Sequence, residues 1–239
     1  MPEDFKRYAI YFAPERASPL ARLGNHWLGV DPETGEVLDR PRIDGISSQE
    51  ITNVTKAPSR YGFHGTLKPP FILRNNRTLR ELDIDIQELA EEVAPFDIPK
   101  MTVRSLRDFL VIVPASPVEA LNTLADRCVQ ELHDYRKPAS DEEIARRRNN
   151  LTALQESLLM RWGYPFVMEE FRFHLTLTGR LRAAECATLE RKLTGYLAAA
   201  LKEPVPVRDI CLFGDPGDAR SFRLLKRYPL RGGREVPEV

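Results

Sequence analysis

The sequence predicts an α+β protein in which helices cover two small antiparallel sheets. Three observations lead to this class: strand-like and helical segments follow the order β-α-β-α-β-β-α-α-β-α-β-β, one short motif occurs in each half, and 42% of the 239 residues are hydrophobic. A chain of this kind buries a sizeable core, as one larger domain or two closely packed halves. We treat residues 1–239 as one domain, with an extended loop near 31–60 and a helical insert near 138–163.

Local signals justify the elements at the start of the chain in order. Residues 8–13 form a β-branched and aromatic run that Pro14 ends, as expected of a strand. Ser18 is a suitable cap for a helix over residues 19–27, whose first residue is proline. Residues 31–60 are polar and lack a sustained period, which indicates a long surface loop.

The same signals place the remaining elements. Hydrophobic spacing and turn residues predict strands at 63–73, 96–103, 109–113, 170–181, 207–213 and 221–230, and helices at 79–93, 117–133, 140–162 and 183–201. Pro69 and Pro70 should end the first of these strands or place it at a sheet edge. Ser140, followed three residues later by Glu143, is a capping-box signature that begins the helix of the insert.

Charge and cysteine content limit the function classes. Lys plus Arg and Asp plus Glu each number 35, so no overall positive field favours long nucleic acid or an acidic membrane. We therefore expect a small, locally recognised substrate. Cys128, Cys186 and Cys211 lack ligand spacing and are expected to be reduced thiols of a cytoplasmic protein. The sequence has no recognisable export signal and no long apolar run, so we expect no membrane partner. We also expect a monomer.

A five-residue pattern occurs twice. Residues 63–67 read FHGTL and residues 173–177 read FHLTL, so two of only four histidines share the Phe before them, the Thr two positions after them and the Leu three positions after them. In a strand, residues i and i+2 point to the same face, so each His projects with its Thr while Phe and Leu face the core. Two facing copies would line one cleft with two pairs: His64 with Thr66, and His174 with Thr176.

This pairing suits the chemistry of a phosphodiester. Two imidazoles that titrate near neutrality divide the roles of general base and general acid, one neutral and one protonated. The threonine hydroxyls are donors for the non-bridging oxygens of the phosphate. The sequence leaves open which histidine is the base. Lys68 lies two residues after Thr66 and Arg172 two before His174, so both are candidate anion contacts on the same strand faces.

Other chemistries have less support. We expect no metal, since neither motif has an acidic or Cys ligand on its strand face. Nucleophilic-serine and phosphate-loop motifs are absent from the sequence. His26 and His133 lack the motif and are expected to be surface or packing residues on helices. Arg146, Arg147 and Arg148 are consecutive on a helix and are expected to fan out into solvent.

The motifs and their context, RYGFHGTLKPPF at 60–71 and FRFHLTLTG at 171–179, resemble the paired H-x-T motifs of the two-histidine (2H) phosphoesterase superfamily. That superfamily includes the bacterial RNA 2′,5′-ligase-like proteins and cyclic phosphodiesterases. With RYAIYF at 7–12, the similarity extends over nearly the whole chain and favours a branch of phosphonate-metabolism proteins. The resemblance implies a bilobal α+β fold with pseudo-twofold symmetry around a central cleft, and no cofactor or metal.

The resemblance also implies an activity, the hydrolysis of a small cyclic phosphodiester such as a 2′,3′-cyclic phosphate or a ribose cyclic phosphate. It carries over His64 and His174 as the acid/base pair and the two threonines as phosphate-oxygen donors, with Tyr8 or Tyr11 as a weaker substrate contact. The long loop and the insert exceed a minimal two-lobed member and are expected to narrow the cleft, which disfavours an RNA end. The alternative is a binding protein for a phosphorylated small ligand or an RNA end, without chemistry.

Overall fold

The computed structural model describes residues 5–217 and 220–232, which contain nine strands and seven α-helices. The strands are β1 (Arg7–Phe12), β2 (Gly65–Phe71), β3 (Phe96–Ile98), β4 (Met101–Leu106), β5 (Phe109–Pro114), β6 (Leu175–Thr176), β7 (Val205–Val207), β8 (Asp209–Asp215) and β9 (Arg223–Pro229). The helices are α1 (Pro19–Leu28), α2 (Ser48–Ser59), α3 (Leu79–Glu92), α4 (Glu119–Glu131), α5 (Asp141–Arg147), α6 (Ala153–Trp162) and α7 (Ala183–Leu197). No described helix has the length and apolar character that crossing a bilayer requires.

Seven of the described strands form one antiparallel sheet in the order β4-β5-β6-β2-β1-β8-β9, and β3 pairs with β7 in a second one. The predicted α+β class with antiparallel sheets is confirmed. The strands divide seven to two, and not into two similar small sheets, because β2 of the first half pairs directly with β6 of the second. This junction puts both histidine motifs in the middle of the large sheet.

Strand β1, next to β2, is buried on both faces. Tyr8, Ile10 and Phe12 belong to the main core, which includes the buried faces of the helices. Ala9 and Tyr11 point the other way and form a second apolar cluster with residues of β8. A strand covered on both sides reads as a continuous apolar run, which is the pattern of this segment.

Strand β2 continues through Pro69 and Pro70 to its end at Phe71. Its pairing with β6 is confined to Gly65, so beyond the motif one side of β2 is an edge of the described sheet. The register between β1 and β2 also shifts in this stretch. Proline has no backbone N–H to give to a ladder, so these positions accept it, in line with the edge prediction.

The prediction of a continuous loop over residues 31–60 is wrong for its second half, which forms α2. The hydroxyl of Ser47 caps this helix by accepting a hydrogen bond from the N–H of Glu50 at 3.1 Å. Ile51 and Thr55, one turn apart, are buried. The apolar face is narrow and one of its residues is polar, so the helical period was hidden in the sequence.

The helical insert near residues 138–163 is present as two helices, where the sequence predicted a single one. Helix α5 ends at Arg147, and Asn150 adopts a φ of 56°, a left-handed conformation that a continuous helix does not contain. Thr152 then begins α6 through a capping box with Gln155. This second cap signal marks the break.

The strand of the second motif is much shorter than the predicted span of 170–181, since β6 covers only Leu175–Thr176. A single 3₁₀ turn, Met168–Glu170, precedes it. The carbonyl of Arg172 accepts a hydrogen bond from the side chain of His174. After Thr176, the N–H groups of Leu177 and Thr178 both donate to the carbonyl of Leu110, so the regular ladder with β5 ends there.

Candidate active site

The two histidine motifs lie on neighbouring antiparallel strands with their middle residues paired, Gly65 opposite Leu175. Each motif therefore meets the other in reverse order. The pairing relates the two copies by a local twofold axis between these middle residues. A single register thus joins two segments that are 110 residues apart in the chain.

This register sets each histidine beside the threonine of the other motif. One step along the strands from the middle pair, His64 lies opposite Thr176, and Thr66 lies opposite His174. Residues opposite one another in a sheet share a face. The two predicted pairs are therefore brought together crosswise, as four polar side chains on one side of the sheet.

Burial alternates along both motifs as the sequence predicts. The apolar members are at most 6% exposed, namely Phe63, Leu67, Phe173, Leu175 and Leu177. The four His and Thr residues are half-buried. The apolar residues hold the two strands in the core, and the polar side chains remain accessible from the opposite face.

Both imidazoles have the same backbone partner. The Nδ1–H of His64 donates to the carbonyl of Gly62 at 2.9 Å, and that of His174 donates to the carbonyl of Arg172 at 2.7 Å. A carbonyl only accepts, so the proton of the neutral imidazole is on Nδ1 and Nε2 is left for chemistry. Thr66 Oγ1 lies 3.4 Å from His64 Nε2, which puts this nitrogen on the motif face.

Aromatic rings surround His64. The Tyr11 ring stacks on the imidazole with ring centroids 3.7 Å apart and an interplanar angle of 20°. Phe213 and Tyr61 lie near it, with centroids at 6.2 and 6.4 Å. Burial, opposed by the hydrogen bond to Gly62 and assisted by the charge of His174, lowers the pKa of His64 to about 4. His64 is therefore neutral at neutral pH.

A cleft of about 420 Å³ opens beside Thr66 and His174. Much of its wall is aromatic and comes from both halves of the chain: Phe109, Tyr164, Phe166 and Phe171. The helical insert contributes Gln155, whose amide donates to the carboxylate of Glu170 at 2.8 Å. The insert thus reaches the cleft through Gln155 alone among the described residues. A space of this size accepts a small ligand.

The two predicted anion contacts have different positions. Arg172 lines the cleft and is exposed, and its guanidinium donates to the carbonyls of Glu169 and Phe171 at 2.9 and 2.6 Å. Lys68 does not line this cleft, since its ammonium donates to the carbonyl of Val129 in α4 at 3.2 Å. The shift in register between β1 and β2 before Lys68 explains why it leaves the face of the motif.

The two tyrosines of β1 also differ. Tyr11 is 1% exposed, and its ring stacks on the imidazole of His64. Tyr8 is on the opposite face of the strand, in the main core with the helices. The alternation of a strand separates residues three apart, so the two tyrosines do not share the site.

Several residues of the site were not predicted from the sequence. Tyr61 lies against Phe222 with ring centroids 5.0 Å apart and is close to His64. Tyr164 belongs to a segment that the sequence marks only as the end of a helix, and burial raises its pKa. Arg107 lines the cleft from the turn between β4 and β5, over the ring of Phe166 at 5.6 Å. The nearness of Tyr61 to the first motif was the one signal available.

The two histidines outside the motifs are surface or packing residues, and the cysteines are thiols, as predicted. His26 is exposed, and its Nδ1–H donates to the carbonyl of Asp39 at 2.7 Å. His133 packs edge-on against Trp162, with ring centroids 5.0 Å apart. All three cysteines are free thiols.

In comparisons with known proteins, this chain matches a protein family and curated relatives. A family described as "Protein of unknown function (DUF1045)" matches residues 66–223, a region that contains the whole second motif. Ribose 1,5-bisphosphate phosphokinase PhnN of Janthinobacterium sp. (strain Marseille) is 34% identical over 238 residues, and that of Laribacter hongkongensis (strain HLHK9) is 31% identical over 220 residues. These matches cover 98% and 92% of this chain but 52% and 51% of the relatives. The chain thus spans about half the length of the curated relatives it matches.

Two solved structures are similar over 95% of this chain and 99% of theirs. One is E. coli LigT complexed with 3′-AMP, with 12% identity and a TM-score of 0.45. The other is a phosphoesterase, with 14% identity and a TM-score of 0.41.

Proposed function

The chain belongs to the DUF1045 family, and we propose that it is a metal-independent phosphoesterase that hydrolyses a small cyclic phosphodiester by two-histidine acid/base catalysis. The observation that carries this proposal is the crosswise pairing of two His-Thr motifs on one face of the sheet. Two imidazoles held by equivalent hydrogen bonds, with two hydroxyls beside them, meet the needs of this reaction. The resemblance of the motifs to those of 2H phosphoesterases supports the same chemistry.

His64 is assigned as the general base. Its pKa of about 4 keeps the imidazole neutral at neutral pH, and its Nδ1–H is held by the carbonyl of Gly62. Nε2 therefore carries the lone pair of the imidazole, which takes a proton from water as the water oxygen forms its bond to phosphorus. Thr66 and Thr176 donate hydrogen bonds to the non-bridging oxygens and stabilise the charge that moves onto them.

His174, in its protonated form, is the general acid. Its Nε2–H passes to the ester oxygen as the ring P–O bond breaks, so the leaving group departs as a neutral hydroxyl. The net reaction adds one water and yields a phosphomonoester. Exchange with solvent then removes the proton from His64 and restores the one on His174.

A ribose cyclic phosphate is the substrate class that we favour. The curated relatives are named ribose 1,5-bisphosphate phosphokinase, and opening a ribose cyclic phosphate yields a ribose phosphomonoester. The cleft volume of about 420 Å³ suits a small molecule better than an RNA strand. We place the reaction in phosphonate metabolism in the cytoplasm, with the protein acting as a monomer.

Phosphorus NMR of the purified protein tests the proposal. In buffer with EDTA, ribose cyclic phosphates and nucleoside 2′,3′-cyclic phosphates are expected to convert to phosphomonoesters, with ribose substrates turned over faster. Tight binding without conversion across this panel would support the alternative, a binding protein for a phosphorylated ligand. Activity that disappears with EDTA and returns with a divalent metal would contradict the metal-independent mechanism.

The pH dependence of kcat/KM is expected to be bell-shaped, because one histidine must be neutral and the other charged. Protonation of His64 removes the base, so activity is lost as the pH falls through about 4, the pKa of His64. Tyr11→Ala opens the imidazole to water, which raises the pKa of His64 and moves the acid limb upward by about 1–2 pH units. Tyr11→Phe keeps the stacked ring and is the matched control. An acid limb at the same pH in both variants would contradict the assignment of His64.

A further inference from the structure

A small cavity beside the cleft brings three cationic side chains together: Lys68, Arg136 and Arg147. Among the described residues that line it there is no carboxylate. Its volume of about 10 Å³ is at most that of one water molecule. It shares Arg136 and Arg147 with a larger cavity of about 580 Å³. Lys137, Arg146 and Arg7, which is paired with Asp215, also line that cavity, as do the carboxylates of Glu142 and Glu143, so its cations outnumber its carboxylates by five to two. The arginines of α5 were expected to face solvent, but two of them line this cavity.

Lys68 is a buried charge without a counter-ion. Lys68 is only 2% exposed. Its ammonium group carries three donors but makes one hydrogen bond within the described chain, to the carbonyl of Val129. Burial lowers the pKa of Lys68 to about 8. The neighbouring thiol of Cys128 supplies no negative charge at neutral pH, because burial raises its pKa to about 12. Buried cations are normally paired, so this arrangement indicates a missing anion.

Arg136 and Arg147 add to this imbalance. Within the described chain, the guanidinium of Arg136 donates no hydrogen bond, and it packs over Gly163 at the end of α6. Arg147 donates to the carbonyl of Gly163 and forms an ion pair with Glu143 at 2.9 Å. Glu143 thus balances one of the three charges, and two remain.

We propose that Lys68, Arg136 and Arg147 form a second anion site, separate from the His-Thr pairs, that binds a phosphoryl dianion. The phosphoryl group occupies the larger cavity against the two guanidinium groups, with the charge of Lys68 behind them. Guanidinium groups offer paired donors for phosphate oxygens. The dianion balances the two charges that Glu143 leaves unpaired.

The position of this site connects it to the reaction that we propose, on which its role rests. Lys68 is two residues from Thr66 along β2, a separation of about 7 Å. Pro69, Tyr164 and Val167 line both the small cavity and the cleft. A terminal phosphoryl group on the cyclic substrate therefore has its own site close to the histidines. Free inorganic phosphate has the same chemistry and is the other source of the anion.

Calorimetric titration with inorganic phosphate tests the site apart from turnover. The protein carrying His64→Ala and His174→Ala lacks the imidazoles of both motifs, of which only that of His174 lines the cleft, and is expected to retain phosphate binding. Adding Arg136→Gln is expected to weaken that binding about ten-fold or more. Glu143→Gln, which releases Arg147 from its ion pair, is expected to strengthen it several-fold. Phosphate binding that is absent, or that is the same in all three proteins, would overturn the proposal, whatever the enzyme activity is.

Kinetics then identify the source of the anion. If the anion belongs to the substrate, a ribose cyclic phosphate with a terminal phosphoryl group has a higher kcat/KM than one without it, and Arg136→Gln lowers this ratio about ten-fold. If free phosphate is the ligand, the ratio is unaffected by Arg136→Gln while the calorimetric change remains. Both outcomes support the site. Because Lys68 is buried, its variant Lys68→Met serves only as a supplement, after circular dichroism shows a native fold.

Discussion

Replacing either imidazole, as in His64→Ala or His174→Ala, is expected to lower kcat by about 10²–10⁴-fold. The base variant loses the acceptor for the proton of water, and the acid variant makes the leaving oxygen depart as an alkoxide. The double variant is expected to lose much less than the product of the two single losses, because the two groups act in one concerted transfer. Turnover of a cyclic phosphate followed by phosphorus NMR measures all three.

His26→Ala is the matched control for these variants. His26 is exposed on α1, outside the motifs, so its replacement is expected to leave kcat unchanged. The single-histidine variants should also keep the thermal stability of the wild type, since both motif imidazoles are only half-buried. Wild-type turnover in either motif variant would rule out the two-histidine mechanism.

Gly65→Ala is expected to reduce both stability and activity. A Cβ at this position would lie 2.5 Å from Cζ of Phe173, a distance that real side chains do not adopt, so the ring or the strand must move. Inserting a methyl group into a packed core costs about 1–3 kcal/mol. In a chain of this length that corresponds to a fall in Tm of about 5 °C. The displaced ring is next to His174, so kcat also falls.

Two further variants separate crowding from other effects of a glycine replacement. Gly195→Ala, in the last turn of α7, has no atom within 4 Å of the new Cβ and is expected to keep or slightly raise Tm. Phe173→Leu in the Gly65→Ala background removes the clash and is expected to recover part of both losses. A Gly65→Ala protein as stable and active as the wild type would show that the two motif strands do not pack as described.

The motif face illustrates what local sequence patterns determine. Alternation with a period of two follows from strand geometry alone, so the direction of each His and Thr was predictable once a strand was recognised. The caps of α1 and α3, Ser18 and Thr78, were predictable because capping is also local. Each hydroxyl accepts a hydrogen bond from the backbone N–H three residues ahead. Helix α2 was missed although Ser47 caps it in the same way, because its apolar face is narrow.

Long-range pairing decided the rest of the site. The crosswise placement of the His-Thr pairs depends on the register that sets Gly65 opposite Leu175, and no local pattern specifies it. The stacking of Tyr11 on His64 depends on the neighbouring strand β1, and burial in this place lowers the pKa of His64. A shift in the register between β1 and β2 turned Lys68 away from the cleft.

The amino-acid sequence alone was enough to predict the α+β class, the two His-Thr pairs on strands, and the resemblance to 2H phosphoesterases on which the proposed chemistry is based. The packing of distant segments shields His64 and lowers its pKa, and it brings Lys68 together with Arg136 and Arg147 around one cavity, and neither arrangement could be predicted from the sequence. The reason is the distance along the chain over which each property is determined. Side-chain direction is set within a few residues, whereas burial, desolvation and charge clustering depend on which distant segments pack together.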